Sequence, residues 1–189
     1  MTERERATAS SRLAFIFEQP AMASRARPVL SRLPPLTGEP IRIHRHPGLR
    51  DGRGPVHAGS FLRERRIAID CSASEFVRVF VHEVFHFVWL RLGNPRRWSY
   101  EEVLGAEIAS RARGELGWSA EWRKRELRGP DVNRRTRLWR EYCCESFCDS
   151  AAWVYSGVKR HEEFTLSSRF VAIRRQWFSD LGAIRELSI

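Results

Sequence analysis

Residues 82–86 read His82-Glu83-Val84-Phe85-His86, two imidazoles four positions apart with a carboxylate directly after the first. On an α-helix, positions four apart lie about 40° apart around the axis and about 6 Å along it. Both imidazoles can therefore reach one metal ion, which makes His82 and His86 candidate ligands. Glu83 projects about 100° away from His82, too far round to ligate easily but well placed beside a metal-bound water, where its natural role is general base. From Val79 to Leu90 every other residue is Val, Phe, Trp or Leu, so the segment is apolar nearly all round and should be buried. Burying two imidazoles and a carboxylate is costly unless they are paired or hold a metal. Two core histidines bonded to backbone or to Glu83 form the bland alternative.

A catalytic zinc site needs a third protein ligand and an open fourth position. After His86 the only remaining histidine is His161, which excludes a third histidine a few residues on. A carboxylate is then expected, and between Tyr142 and Tyr155 the only charged residues are Glu145 and Asp149. They stand at i, i+4 among small and apolar residues, so two like charges share one face. A divalent cation and its histidines remove that penalty, with one acid on the metal and the other accepting the N–H of a ligand imidazole.

With His82-Glu83-x-x-His86 and Glu145-x-x-x-Asp149 the chain resembles the zincin metallopeptidases, and among them the gluzincins. The resemblance implies zinc-dependent hydrolysis of peptide bonds, with one Zn2+ per chain on His82, His86 and Glu145. It implies Glu83 as general base to a zinc-activated water and Asp149 as the acid that orients a histidine. It further implies that the strand before the active-site helix, Arg66 to Asp70, lies along the cleft and pairs with an extended peptide or protein substrate. The chain departs from the pattern at Cys144, where the family usually has Asn, and the interval of 59 positions from His86 to Glu145 is long for many members. Glu141 also falls on the i, i+4 row, but Arg140 and Arg137 offer it a solvated ion pair. Glu145 has no cation in its own helix and is the expected ligand. Tyr142, with Tyr155 and His161 as alternatives, is the candidate to stabilise a developing oxyanion.

The elements that must hold these residues are legible in outline. Ser72-Ala73-Ser74-Glu75 fits a capping box, so a helix should start there, run to about Leu92 and stop at Gly93-Asn94-Pro95. Further helices are expected over Ser99–Gly114, Ser119–Leu127, Arg134–Tyr155 and Leu166–Leu187. Ile41–His44 and Arg66–Asp70 read as strands, Leu13–Phe17 as a strand or helix start, and the prolines from Pro20 to Pro40 as an irregular segment. The expected fold class is α+β and zincin-like, a small N-terminal sheet followed by a mostly helical region, with residues 1–11 a flexible tail and 12–189 a single domain.

At 189 residues, 42% hydrophobic and 11% aromatic, the chain has the composition of a folded globule. The net charge of +10 would suit a polyanion, yet only Lys124 and Lys159 are lysines and the arginines are scattered, with short basic clusters at Arg123–Arg125 and Arg134–Arg140. A solvated arginine surface is the simpler reading, so nucleic acid is not an expected partner. A basic nucleic-acid-binding protein and a catalytically silent zincin-like regulator remain the rival classes. Cys71, Cys143, Cys144 and Cys148 show no disulfide spacing, and Cys144 with Cys148 is a sharper but weaker zinc alternative. No stretch reads as a signal peptide or a membrane span, so no membrane partner and a cytoplasmic location are expected.

Overall fold

The computed structural model describes residues 14–183 and 186–189; the tail expected over residues 1–11 lies outside them. The fold is α+β, a small mixed sheet with seven helices among the described residues. Strands β1 (Phe15–Phe17), β3 (Ile41–Arg45), β7 (Arg66–Ile69) and β6 (Ala58–Phe61) lie in the order β1-β3-β7-β6. The first three are parallel, and β6 runs antiparallel to β7 along the outer edge. Ile41, Ile43, Ile67 and Ala68 are fully buried, as the interior of a covered sheet requires.

Between β1 and β3 the chain forms helix α1 (Pro20–Leu30), where the prolines suggested irregular structure. Pro20 stands in the first turn, where a missing N–H costs nothing, and Pro28 in the last, where it removes a single helical bond. Met22, Ala26, Val29 and Leu30 form the buried face that holds the helix down. Two small pairings, β2 (Leu36–Thr37) with β8 (Leu187–Ser188) and β4 (Arg50–Asp51) with β5 (Gly54–Pro55), complete the strands.

Helix α2 (Phe76–Arg91) carries the histidine pair and packs against β6, β7, α1 and, most extensively, α6 (Arg137–Tyr155), which carries Glu145 and Asp149. The expected capping box forms only in part: the Ser72 hydroxyl accepts the Glu75 N–H, but the Glu75 carboxylate turns to Arg78 and His161, and the helix begins at Phe76. Gly93, at φ +78°, ends the turn after α2 as expected. Then α3 (Asn94–Ala109) starts at once, five residues ahead of the expected position, because Pro95 is accommodated in its first turn.

Helix α4 (Trp118–Glu126) is close to expectation, and the helix expected over Arg134–Tyr155 is found as α6, starting three residues later at Arg137 and preceded by a short helix that ends where the expected span begins. The short α5 (Gly129–Arg134) is closed by Asp131, which accepts from the Arg128 N–H and the Thr136 hydroxyl. Arg135 turns out of it at φ +48°, and Thr136 caps α6 through the Trp139 N–H. Helix α7 (Ser168–Gly182) stops short of the expected Leu187, since Leu187 and Ile189 are buried and bond to the backbone of residues 35 and 37. The expected helical state of residues 184 and 185 lies outside the described residues. Among the described residues no helix is long and apolar enough to cross a membrane.

Candidate metal centre

Packing α2 on α6 brings four of the candidate residues into one cluster. His82 Nε2 and His86 Nε2 lie 3.2 Å apart, and Glu145 Oε2 lies 3.3 Å from the first and 4.0 Å from the second. A tetrahedral zinc with ligand bonds of about 2.0–2.1 Å sets its donors about 3.3 Å apart. The three atoms thus form a face of the right size for that ion, and all lie within 4.8 Å of one another. Two ring nitrogens and a carboxylate oxygen are also the donor types that zinc takes.

Asp149 fixes the orientation of His82. Its Oδ1 lies 2.8 Å from His82 Nδ1, leaving Nε2 turned to the cluster. Its Oδ2 accepts the Ala120 N–H at 3.2 Å, in the first turn of α4, where a carboxylate is favoured by the helix end. His86 Nδ1 lies 3.5 Å from Cys144 Sγ. Glu145 divides its oxygens: Oε2 faces the histidines while Oε1 lies 3.2 Å from Arg123 Nη2.

The electrostatics follow from this packing. Burial alone would depress the His82 imidazolium, but the charge and hydrogen bond of Asp149, with the bond to Glu145, outweigh it and raise the pKa well above its ordinary value. His86 is likewise lowered by burial but lifted by Cys144 and Glu145 to about 9. Burial raises Glu145, yet the His82 hydrogen bond and the charges of His86, His82 and Arg123 bring it down to about 2. The Cys144 thiol is lowered by its hydrogen bond with Cys148 against the effect of burial, helped by the charge of His86.

Glu83 is buried on the same helix, with Ser60 of β6 reaching it: the Ser60 hydroxyl lies 2.6 Å from Glu83 Oε2 and 2.8 Å from the Glu83 carbonyl oxygen. His82, Glu83, His86, Glu145 and Asp149 all line one cleft of about 650 Å3. Ala58–Ser60 of β6 and Trp118, Ser119 and Trp122 of α4 also line it. The strand expected along the cleft, Arg66 to Asp70, is not the one found there. β7 is paired on both sides, by β3 and β6, and has no free edge; β6 takes the place. Arg53, at the turn between β4 and β5, reaches Trp122 of α4, its guanidinium carbon 4.0 Å from the ring centroid.

The candidate oxyanion groups are not brought to the cluster. Tyr142 is fully buried about one turn before Glu145 on α6, and its hydroxyl is spent on Glu115 Oε1, to which it donates at 2.6 Å. Burial and the Glu115 charge raise its pKa well above the ordinary value, so the phenol stays protonated and committed. Glu115 also meets Lys124 at 3.0 Å and Arg174 at 2.7 Å, and Arg174, fully buried, grips Glu107 at 2.6 Å. Tyr155 stacks on Phe85 in the core. His161 pairs with Glu75 at 3.2 Å, and Glu141 with Arg137 at 2.6 Å on the surface.

Two other donor groups are less suited to an ion. Glu75 and Glu163, next to His161, are already bridged by the Arg78 guanidinium. His86 with Cys144 and Cys148 would need Cys148 as thiolate, and burial raises that thiol well above its ordinary value. Three site residues escape sequence reasoning. Ser60 lies in a strand, Ala-Gly-Ser-Phe, without apolar alternation; Cys144, weighed as a zinc alternative with Cys148 and as a departure from a motif, gives no sign of its contact with His86; and Gly117, against which Asp149 packs, carries no signal. Comparisons of the chain with protein-family models, with curated proteins and with solved structures find no match.

Proposed function

We propose that the chain is a zinc-dependent metallopeptidase of gluzincin type. The observation that carries the proposal is the triangle of His82 Nε2, His86 Nε2 and Glu145 Oε2, sized for a tetrahedral ion and oriented by Asp149. These three residues would hold the zinc, which supplies Lewis acidity for activating a water and polarising a carbonyl. Glu83 takes the proton of the attacking water and passes it to the leaving amine nitrogen. Ser60 anchors that carboxylate by hydrogen bonding to Oε2. Asp149 holds the Nδ1 proton of His82, keeping its Nε2 lone pair free. The edge strand β6, beside Glu83, supports pairing with an extended peptide, since its outer side carries no partner strand among the described residues.

Metal analysis of the full chain purified without chelator tests the site: one zinc per wild-type chain and none in His86→Ala is expected. Glu83→Gln should keep the zinc and lower hydrolysis of a quenched peptide library at least about 10²-fold. A zinc-free wild type, or a Glu83→Gln protein that retains an active wild type's rate, overturns the proposal.

A further inference from the structure

A second cavity, of about 370 Å3, shares no lining residue with the cleft. Arg97 and Trp98 of α3, Arg134 at the end of α5, Arg135 in the link and Arg140 on α6 surround it, with Glu101 the sole acidic lining residue among the described residues. That carboxylate is already engaged: Arg135 Nη2 lies 2.8 Å from Glu101 Oε2, and the Trp139 indole N–H donates to the same oxygen at 3.2 Å. The other arginines lean on neutral groups, Arg97 Nη2 on Asn94 Oδ1 and Arg140 Nη1 on the Arg135 carbonyl. Among the described residues no carboxylate stands within ion-pair distance of Arg97, Arg134 or Arg140, and the buried Arg97 Nε has no hydrogen-bond partner.

Guanidiniums gathered around a concavity without counter-ions repel one another, and an anion with several acceptor oxygens relieves that. Trp98 is 46% exposed, and the Arg135 guanidinium carbon lies over its ring, 5.1 Å from the centroid. An aromatic platform beside arginines suits a planar ring that carries a phosphate. We propose that this cavity is a nucleoside-phosphate site, with the phosphate on Arg97, Arg134 and Arg140 and the base against Trp98. The ligand is a free nucleotide or an unpaired nucleotide of a single strand; the chemistry is shared.

Calorimetric titration of the full chain with ATP, and anisotropy titration with a labelled short single-stranded oligonucleotide, test it at about 50 and about 200 mM salt. At least one probe should bind at the lower salt. Arg134→Ala with Arg140→Ala should weaken that binding about 10-fold or more, and Trp98→Ala about 5-fold or more. All three residues lie outside the metal cleft, so unchanged zinc content and circular dichroism identify a loss as local. Tighter binding of the strand with a steep salt slope assigns the site to single-stranded nucleic acid; comparable binding with a shallow slope assigns it to free nucleotides. Failure of both probes, variants that bind like wild type, or equal binding of inorganic phosphate or a polyglutamate peptide overturns the proposal. The outcome is independent of whether the cleft hydrolyses peptides.

Discussion

Glu145 does two jobs at once, one oxygen toward the histidines and the other on Arg123, and under the proposed function it completes the ligand set. Removing it should abolish tight zinc binding in Glu145→Ala, whereas Glu141→Ala should stay within a few-fold of wild type, because Glu141 is spent on exposed Arg137. Isothermal titration of both metal-free variants with zinc checks the pair; one zinc bound tightly by Glu145→Ala would reverse the assignment. That His82, His86, Glu145 and Asp149 would meet was legible, since polar residues at helical spacing in apolar runs must face something polar. The position of Tyr142 was not. Its hydroxyl is taken up by Glu115, a partner 27 residues earlier whose burial nothing local announces.

Among the elements, α4 closes on the site with no clearance. A Cβ built on Gly117 would fall 2.2–2.4 Å from the carboxylate of Asp149, so the residue before the helix must be glycine for Asp149 to keep both His82 and the Ala120 N–H. Gly117→Ala is therefore expected to displace Asp149, weakening zinc binding about 10- to 100-fold and costing roughly 1–3 kcal/mol of stability. Zinc titration and denaturant unfolding read the two effects; a variant with wild-type affinity would mean that Asp149 does not orient His82. The helices α2 and α4 and the strands β3 and β7 could be read from sequence because pattern, caps and breakers agree there. α1 was hidden by its prolines and β6 by its small residues. The break at Arg135 depends on Asp131 reaching across to Thr136, a contact that no propensity encodes.

For the molecule as a whole, the cluster links pH to stability in the metal-free chain. The histidines have raised pKa values, so their contribution is complete below about pH 6.5 and is lost as pH rises through about 9 for His86. Glu145 is shifted the other way: its contribution is complete above about pH 4.5 and is lost as pH falls toward about 2. This cluster therefore favours a maximum in melting temperature between about pH 5 and 6.5 for the metal-free protein. Zinc needs the imidazoles unprotonated, so its affinity should climb from pH 6 to about 9. Thermal melts with and without zinc from about pH 4 to 9 measure both; a zinc affinity flat with pH would contradict the proton competition. Composition carried the folded core, and the order of strand and helix signals carried the α+β class. The balance of charge around each cavity was invisible, because Arg97 and Arg134–Arg140 meet only once α3 packs near the α5–α6 link.

The buried Arg174 also bears on how such a chain can drift through sequence space. Arg174 and Lys124 together balance Glu107 and Glu115, so losing any one member strands a charge in the interior. Arg174→Met should cost about 3–5 kcal/mol by denaturant unfolding, while replacing the charged group in concert with apolar residues should be far milder. Single-step neutral paths through these positions are closed. Lineages carrying this scaffold are expected to keep the set intact or to exchange it as a block.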